Sequence, residues 1–144
     1  MSTPYANVFD SLIDAGRLDA AGASLLAELV ERLSRPGIDN PLETLVRLAQ
    51  AAGYTREVRS WIGPGQPLAL PADGIDRMAA EGGLLDEAWL ADICHRHGIE
   101  PTEARRRLSL LIPMLVKTLT PRGEIPSSRV VSVGLEALKK RAAR

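Results

Sequence analysis

The stretch "LSLLIPMLV", residues 108–116, decides how this chain reads. Its apolar run falls well short of the ~20 residues that a membrane-spanning helix needs, so it reads as buried core. Pro101 or Thr102 opens the surrounding helix, whose main apolar arc is Ala104, Leu108, Leu111, Ile112, Leu115 and Leu119. Leu110, Met114 and Val116 widen that arc over most of the girth, which puts the helix at the centre of a helical fold. Pro113 lies inside it. Proline removes one amide donor and crowds the carbonyl four residues back, so the expectation is one kinked helix or two helices broken there.

Helical patterns surround this element on both sides. Upstream, Leu90, Ile93, Cys94 and His97 repeat at i, i+3, i+4 and i+7 behind an Asp86 cap, and Gly98 ends the run. Before it, Pro71–Ala80 turns Ile75, Met78 and Ala79 inward and closes on Gly82 and Gly83. "NPLE" at residues 40–43 starts another helix, with Asn40 as cap, Pro41 in the first turn and Glu43 at the capping-box position. Its inner face is Leu42, Leu45, Val46 and Ala49, and a short helix over Thr55–Ile62 follows.

Ala20–Ser34 carries Leu25, Leu26, Leu29, Val30 and Leu33 on one side, with Glu28/Arg32 and Glu31/Arg35 as i, i+4 pairs on the other. Tyr5–Ala15 shows a similar stripe in Val8, Phe9, Leu12 and Ile13. Downstream, "TPRGEIPSS" is a turn-rich exit, and Val131, Leu135 and Leu138 imply a terminal helix with Lys139, Lys140 and Arg141 near its negative end. No segment reads as a strand. The expected fold is all-α, a compact multi-helix bundle.

Composition agrees with this. The chain has 144 residues, enough for one domain with a real core, and only five aromatic side chains. Leu, Ile, Val and Ala must therefore fill the interior, which suits close-packed helices better than a β-sandwich. Eighteen acidic and eighteen basic residues cancel, removing the global field that draws a protein to nucleic acid or anionic lipid. Only residues 129–144 are basic, with five bases against one acid. Cys94 is the single cysteine, so no internal disulfide is possible, and no basic, apolar, small-residue leader pattern opens the chain. A cytoplasmic location is the expectation.

Four segments in order, "LETLVRLAQAAG" (42–53), "VRSWIGPGQ" (58–66), "LADICHRHGIEPTEA" (90–104) and "LIPMLVKTLTPRGEIP" (111–126), resemble the YidB-like bacterial proteins. The resemblance covers residues 42–126, 85 of the 144, and is carried most specifically by the Trp-Gly-Gly loop and the "LTP.G..P" exit. It implies an all-α domain whose later helices form a homeodomain-like, helix-turn-helix three-helix unit in the C-terminal half. It brings no catalytic, cofactor-binding or metal-binding residue. The insertion "LALPADGIDRMAAEGGLLDEAW" (68–89) departs from the family pattern, and the first 40 residues fall outside it. The organisation expected is an N-terminal helical extension packing on the core (1–40), a YidB-like helical domain (41–126) and a basic C-terminal helix or tail (127–144).

Candidate sites are few. Trp61 precedes Gly63, Pro64 and Gly65. Its ring can cover the end of the core while its indole N–H bonds a loop carbonyl, making Trp61, Gly63 and Gly65 a structural loop. A phosphate cradle would need converging amides and a Lys; "GPGQP" loses two donors to proline and has no Lys. Cys94 and His97 share a helix face, but a zinc site needs three or four ligands, and no second Cys exists. No "GxSxG" or "HExxH" occurs, and Cys94 beside a histidine of its own helix is no nucleophile–base geometry. An enzyme is therefore not expected, nor a cofactor.

Residues 86–117 follow helix-turn-helix grammar, with Arg105, Arg106 and Lys117 on the less apolar side of the second helix and Arg107 able to pair with Glu103. The unit is neutral and its second helix mostly buried, which argues against a groove reader. The expected function is a non-catalytic protein-binding or assembly module, through a partner protein or self-association. The alternative is a weak DNA binder using Arg105, Arg106 and Lys117.

Overall fold

The computed structural model describes residues 20–63, 66–120 and 122–142, with backbone alone at residues 20 and 139–142. Among them are seven helices and no strand: α1 (Ala20–Leu33), α2 (Pro41–Ala51), α3 (Thr55–Ile62), α4 (Gly74–Glu81), α5 (Glu87–His97), α6 (Pro101–Leu119) and α7 (Ser128–Ala142). The helix expected over Tyr5–Ala15 lies outside the described residues, as do Gly65 and the side chains of Lys139, Lys140 and Arg141.

α6 is the axle. It touches α1, α2, α3, α4 and α5, and Leu108, Ile112, Val116 and Leu119 are fully buried along it. Pro113 leaves α6 unbroken as a single helix from Pro101 to Leu119. α1 packs on α7, α6 and α5, and its five leucine and valine core positions are fully buried. At about 1.5–3 kcal/mol for each fully buried aliphatic side chain, that stripe ties α1 firmly into the core. In α7, Val131, Leu135 and Leu138 are buried.

Local signals set the helix ends. Asn40 Oδ1 accepts the Glu43 N–H at 3.2 Å, and Asn40 Nδ2 reaches across to donate to the Pro126 carbonyl at 3.0 Å. The start of α2 is thereby linked to the entry of α7. Glu43 does not complete a capping box: its carboxylate pairs with Arg47 one turn on. Asp86 Oδ1 accepts the Trp89 N–H at 2.8 Å at the start of α5. Gly98 closes α5 in the left-handed region (φ 64, ψ 37), where a Cβ costs roughly 1 kcal/mol. α4 begins at Gly74, later than the Pro71 expected from the pattern, because residues 71–73 form a turn in which the Gly74 N–H donates to the Pro71 carbonyl.

Of the i, i+4 pairs expected on the outer side of α1, Glu28 with Arg32 is replaced by contacts to other elements. Glu28 instead receives Arg96 of α5 in a two-toothed contact, Nη1 to Oε2 at 2.7 Å and Nη2 to Oε1 at 3.0 Å. Arg32 donates from Nε to the Leu84 carbonyl at 2.6 Å and pairs with Asp86 at 3.4 Å. The physical reason is that α1 is flanked on more than one side, so its polar positions meet α5 and the loop before it.

Candidate functional site

The arginines singled out on α6 surround a groove, and the groove owes its other wall to Pro113. Proline supplies no N–H to the carbonyl four residues back, so the Ser109 carbonyl lacks its helical partner. The Leu70 N–H donates to it at 3.1 Å. Residues 66–70 form neither helix nor turn, and the residue before each of Pro67 and Pro71 is steered away from the helical region. Two more bonds hold this segment: the Leu68 N–H donates to Ser60 Oγ at 2.9 Å, and the Leu68 carbonyl accepts Trp61 Nε1 at 2.7 Å. Trp61 itself is fully buried, so its ring fills the core while its one polar atom fixes the loop.

Where the segment turns into α4, a Cβ on Gly74 would lie 2.9 Å from Leu70 Cβ, so only glycine admits this close approach. Between the segment and α6 lies a cavity of about 370 Å³, lined by Ala69, Leu70, Ala72, Thr102, Arg105, Arg106, Ser109 and Leu110. Two arginines and no Asp or Glu line it. Leu68, next to Ala69, is 42% exposed despite its size.

The three cations expected to act together are placed apart. Arg105 Nε donates to Asp76 Oδ1 of α4 at 2.7 Å, and its Nη2 lies 4.0 Å from Glu87 of α5, so it fastens three helices together. Its side chain is 27% exposed, against 61% for Arg106, which pairs with Glu103 at the solvent edge. The Arg106 bond, with Arg107 alongside, holds the Glu103 carboxyl below its usual range. Lys117 points away from both: its Nζ donates to the carbonyls of Ser60 (3.2 Å) and Gly63 at the C-terminal end of α3. A cation there meets unpaired carbonyls and the negative end of the helix. Sequence reasoning saw Lys117 as an outward charge; its contact with α3 is 54 residues distant and has no local signal.

Cys94 and His97, which share a face of α5, have different surroundings. Cys94 is buried, and burial pushes its thiol above the ordinary value, away from the nucleophilic thiolate. His97 Nε2 lies 2.8 Å from Glu28 Oε2, so that nitrogen carries the proton and meets a carboxylate. Among the described residues no group of three or more His, Cys, Asp or Glu could hold a metal ion, and no helix is long and apolar enough to cross a membrane.

Comparison with known families matches the model described as YidB-like protein to residues 14–128. The match takes in α1, which the four motif segments did not reach, and runs to the first residue of α7. No curated protein and no solved structure matches the chain. With 115 of its 144 residues inside that match, the chain belongs to the YidB-like protein family.

Proposed function

We infer that this protein is a non-catalytic protein-binding module whose docking site is the groove between residues 69–72 and α6. The observation that carries the reading is the groove itself. It combines an apolar floor with a few placed polar groups, the composition expected of a binding cleft. Its walls are held by the Leu70–Ser109, Leu68–Ser60 and Trp61–Leu68 bonds.

The homeodomain-like reading of α4, α5 and α6 finds support in their mutual contacts and in the three-residue link, Gly98–Glu100, between α5 and α6. In such a unit the outer face of the last helix would be the reading face. Here residues 69–72 flank that face, Arg105 is engaged by Asp76, and Lys117 by α3. This arrangement favours a protein partner over a duplex.

The test is selection of a random displayed peptide library on the whole protein, with Leu110→Arg as counter-target and circular dichroism to check that the variant folds. Peptides enriched on the wild type and lost on the variant support the groove. Enrichment equal on both refutes it. In parallel, a DNA duplex retarded at moderate salt, and released by Arg106→Glu, would restore the nucleic-acid reading.

A further inference from the structure

Leu110 lines the groove and also belongs to the outer side of α6. It shares that side with Met114, and both are only half-buried, while Leu108, Ile112 and Leu119 of the same helix are fully buried. The course of α1 shows which part of the chain can reach them. Glu28 meets Arg96 and His97 at the end of α5, whereas Arg32, one turn on, meets the Leu84 carbonyl and Asp86 just before α5 begins. α1 therefore runs antiparallel to α5. Ala20, its first residue, lies about 12 Å further along the axis than Glu28. That is the end of the bundle where Gly98–Glu100 turn the chain into α6.

Residues 1–19 thus lead into α1 from the end at which α6 starts. Within them, Tyr5–Ala15 carries the one-sided stripe Val8, Phe9, Leu12 and Ile13. Phe9 and Ile13 are four residues apart, as are Leu110 and Met114, a separation of about 6 Å along a helix axis. The connecting chain from Ala15 to Ala20 reaches up to ~17 Å. A helix over Tyr5–Ala15 would be about 16 Å long, enough to run from the first turns of α6 past Leu110.

We propose that residues 5–15 fold back as a helix on the outer side of α6 and seat Phe9 against Leu110 and Met114, so that a partner must displace this segment to reach the groove. The inference rests on the protein-binding reading above and adds its regulation by the chain itself. An amphipathic stripe is stable as a helix only when its apolar side is covered, and Leu110 with Met114 offers that cover. Val130 and Val133 are the competing apolar pair, exposed on one face of α7. They lie in its first turns, and the entry to α7 is bonded to Asn40, which follows the opposite end of α1 from Ala20.

The experiment uses full-length protein with ¹³C-labelled methyl groups. Nuclear Overhauser contacts are expected from the Phe9 ring to the Leu110 and Met114 methyls, unchanged on dilution. Phe9→Glu combined with Leu12→Glu alters none of the described residues and should abolish them. The displayed library is selected on wild type and on this double variant, with Leu110→Arg as counter-target. Peptides that depend on Leu110 should bind the double variant about tenfold more tightly than the wild type. Apparent affinity scales with the fraction of molecules whose groove is open, so tenfold means a groove covered about nine-tenths of the time. Should the double variant fail to fold by circular dichroism, Phe9→Ala takes its place in the same comparison.

Absence of Phe9 contacts to α6, or contacts to Val130 and Val133 instead, overturns the proposal. Contacts that fade on dilution assign the segment to a second copy and also overturn it, as does equal peptide affinity for wild type and variant. In each of these cases groove-dependent peptides would leave the protein-binding reading standing. If neither protein selects a peptide that depends on Leu110, that reading falls and the proposed displacement falls with it.

Discussion

The Leu70 N–H donates to the Ser109 carbonyl, and Ser109 stands four residues before Pro113. These facts are one device. A proline inside a helix leaves a carbonyl without its partner, at a cost of ~3 kcal/mol or more. In this fold the vacancy becomes the anchor for a segment that would otherwise have little to hold it. The same bond supports one wall of the groove and sets the start of α4 against it.

Pro113→Ala tests the device. The new amide would compete with Leu70 for the Ser109 carbonyl, and alanine is the better helix former. Hydrogen exchange at the Leu70 amide should accelerate by about tenfold, corresponding to ~1.4 kcal/mol of lost local protection, while the melting temperature holds or rises. Unchanged protection at Leu70 would mean that the segment is held by its other bonds alone.

Lys117→Met keeps most of the aliphatic stem and removes the ammonium that serves Ser60 and Gly63. The expected loss is about 1 kcal/mol, the scale of a partly buried cation at a helix C-terminus. Urea denaturation measures it. The loss should appear as faster amide exchange in α3, with no change at the groove.

Tyr54 is buried and its hydroxyl has no hydrogen-bond partner among the described residues. Burial raises the phenol pKa, and the nearby Asp73 carboxylate adds to the rise. Removing an unsatisfied buried hydroxyl without changing the ring is favourable. Tyr54→Phe should therefore be neutral or stabilise by up to about 1 kcal/mol, and a clear loss of stability in denaturant melts would reveal a partner for the hydroxyl.

What the sequence discloses here is what short-range chemistry decides. The Asp86 cap, the Gly98 stop, the Glu103–Arg107 pair and the apolar stripes of α1, α2, α5 and α6 all follow from residues within two turns of each other. Lys117 and Glu28 could not be read that way. Each had a plausible local role, and each is claimed by a helix more than fifty residues away. The groove was legible only in part: Arg105 and Arg106 were visible as candidates, but its second wall depends on a carbonyl freed by Pro113. Periodicity reports side-chain faces and is blind to an unpaired backbone group.

The Glu28 clasp gives a prediction with a definite sign. Arg96 donates to the Glu28 carboxylate, and that bond, joined by His97 and outweighing the opposing effect of burial, lowers the Glu28 pKa. A carboxyl depressed in the folded state stabilises it fully above its unfolded pKa, about 4.3 for glutamate, and loses that contribution as pH falls through the folded value. The groups facing Glu28 are Arg96 and His97, with Asp92 bound to the far side of Arg96. Glu28→Gln keeps the size and removes the charge. At neutral pH it should cost on the order of 1 kcal/mol, since the clasp is only partly shielded from solvent. Below about pH 4.3 the variant should lose less stability than the wild type, so the two curves converge as acid is added. The Glu103 carboxyl is also lowered but is common to both proteins and cancels in the difference. Denaturant melts from neutral pH into acid give both curves. If they run parallel throughout, Glu28 does not link α1 to α5 through its charge.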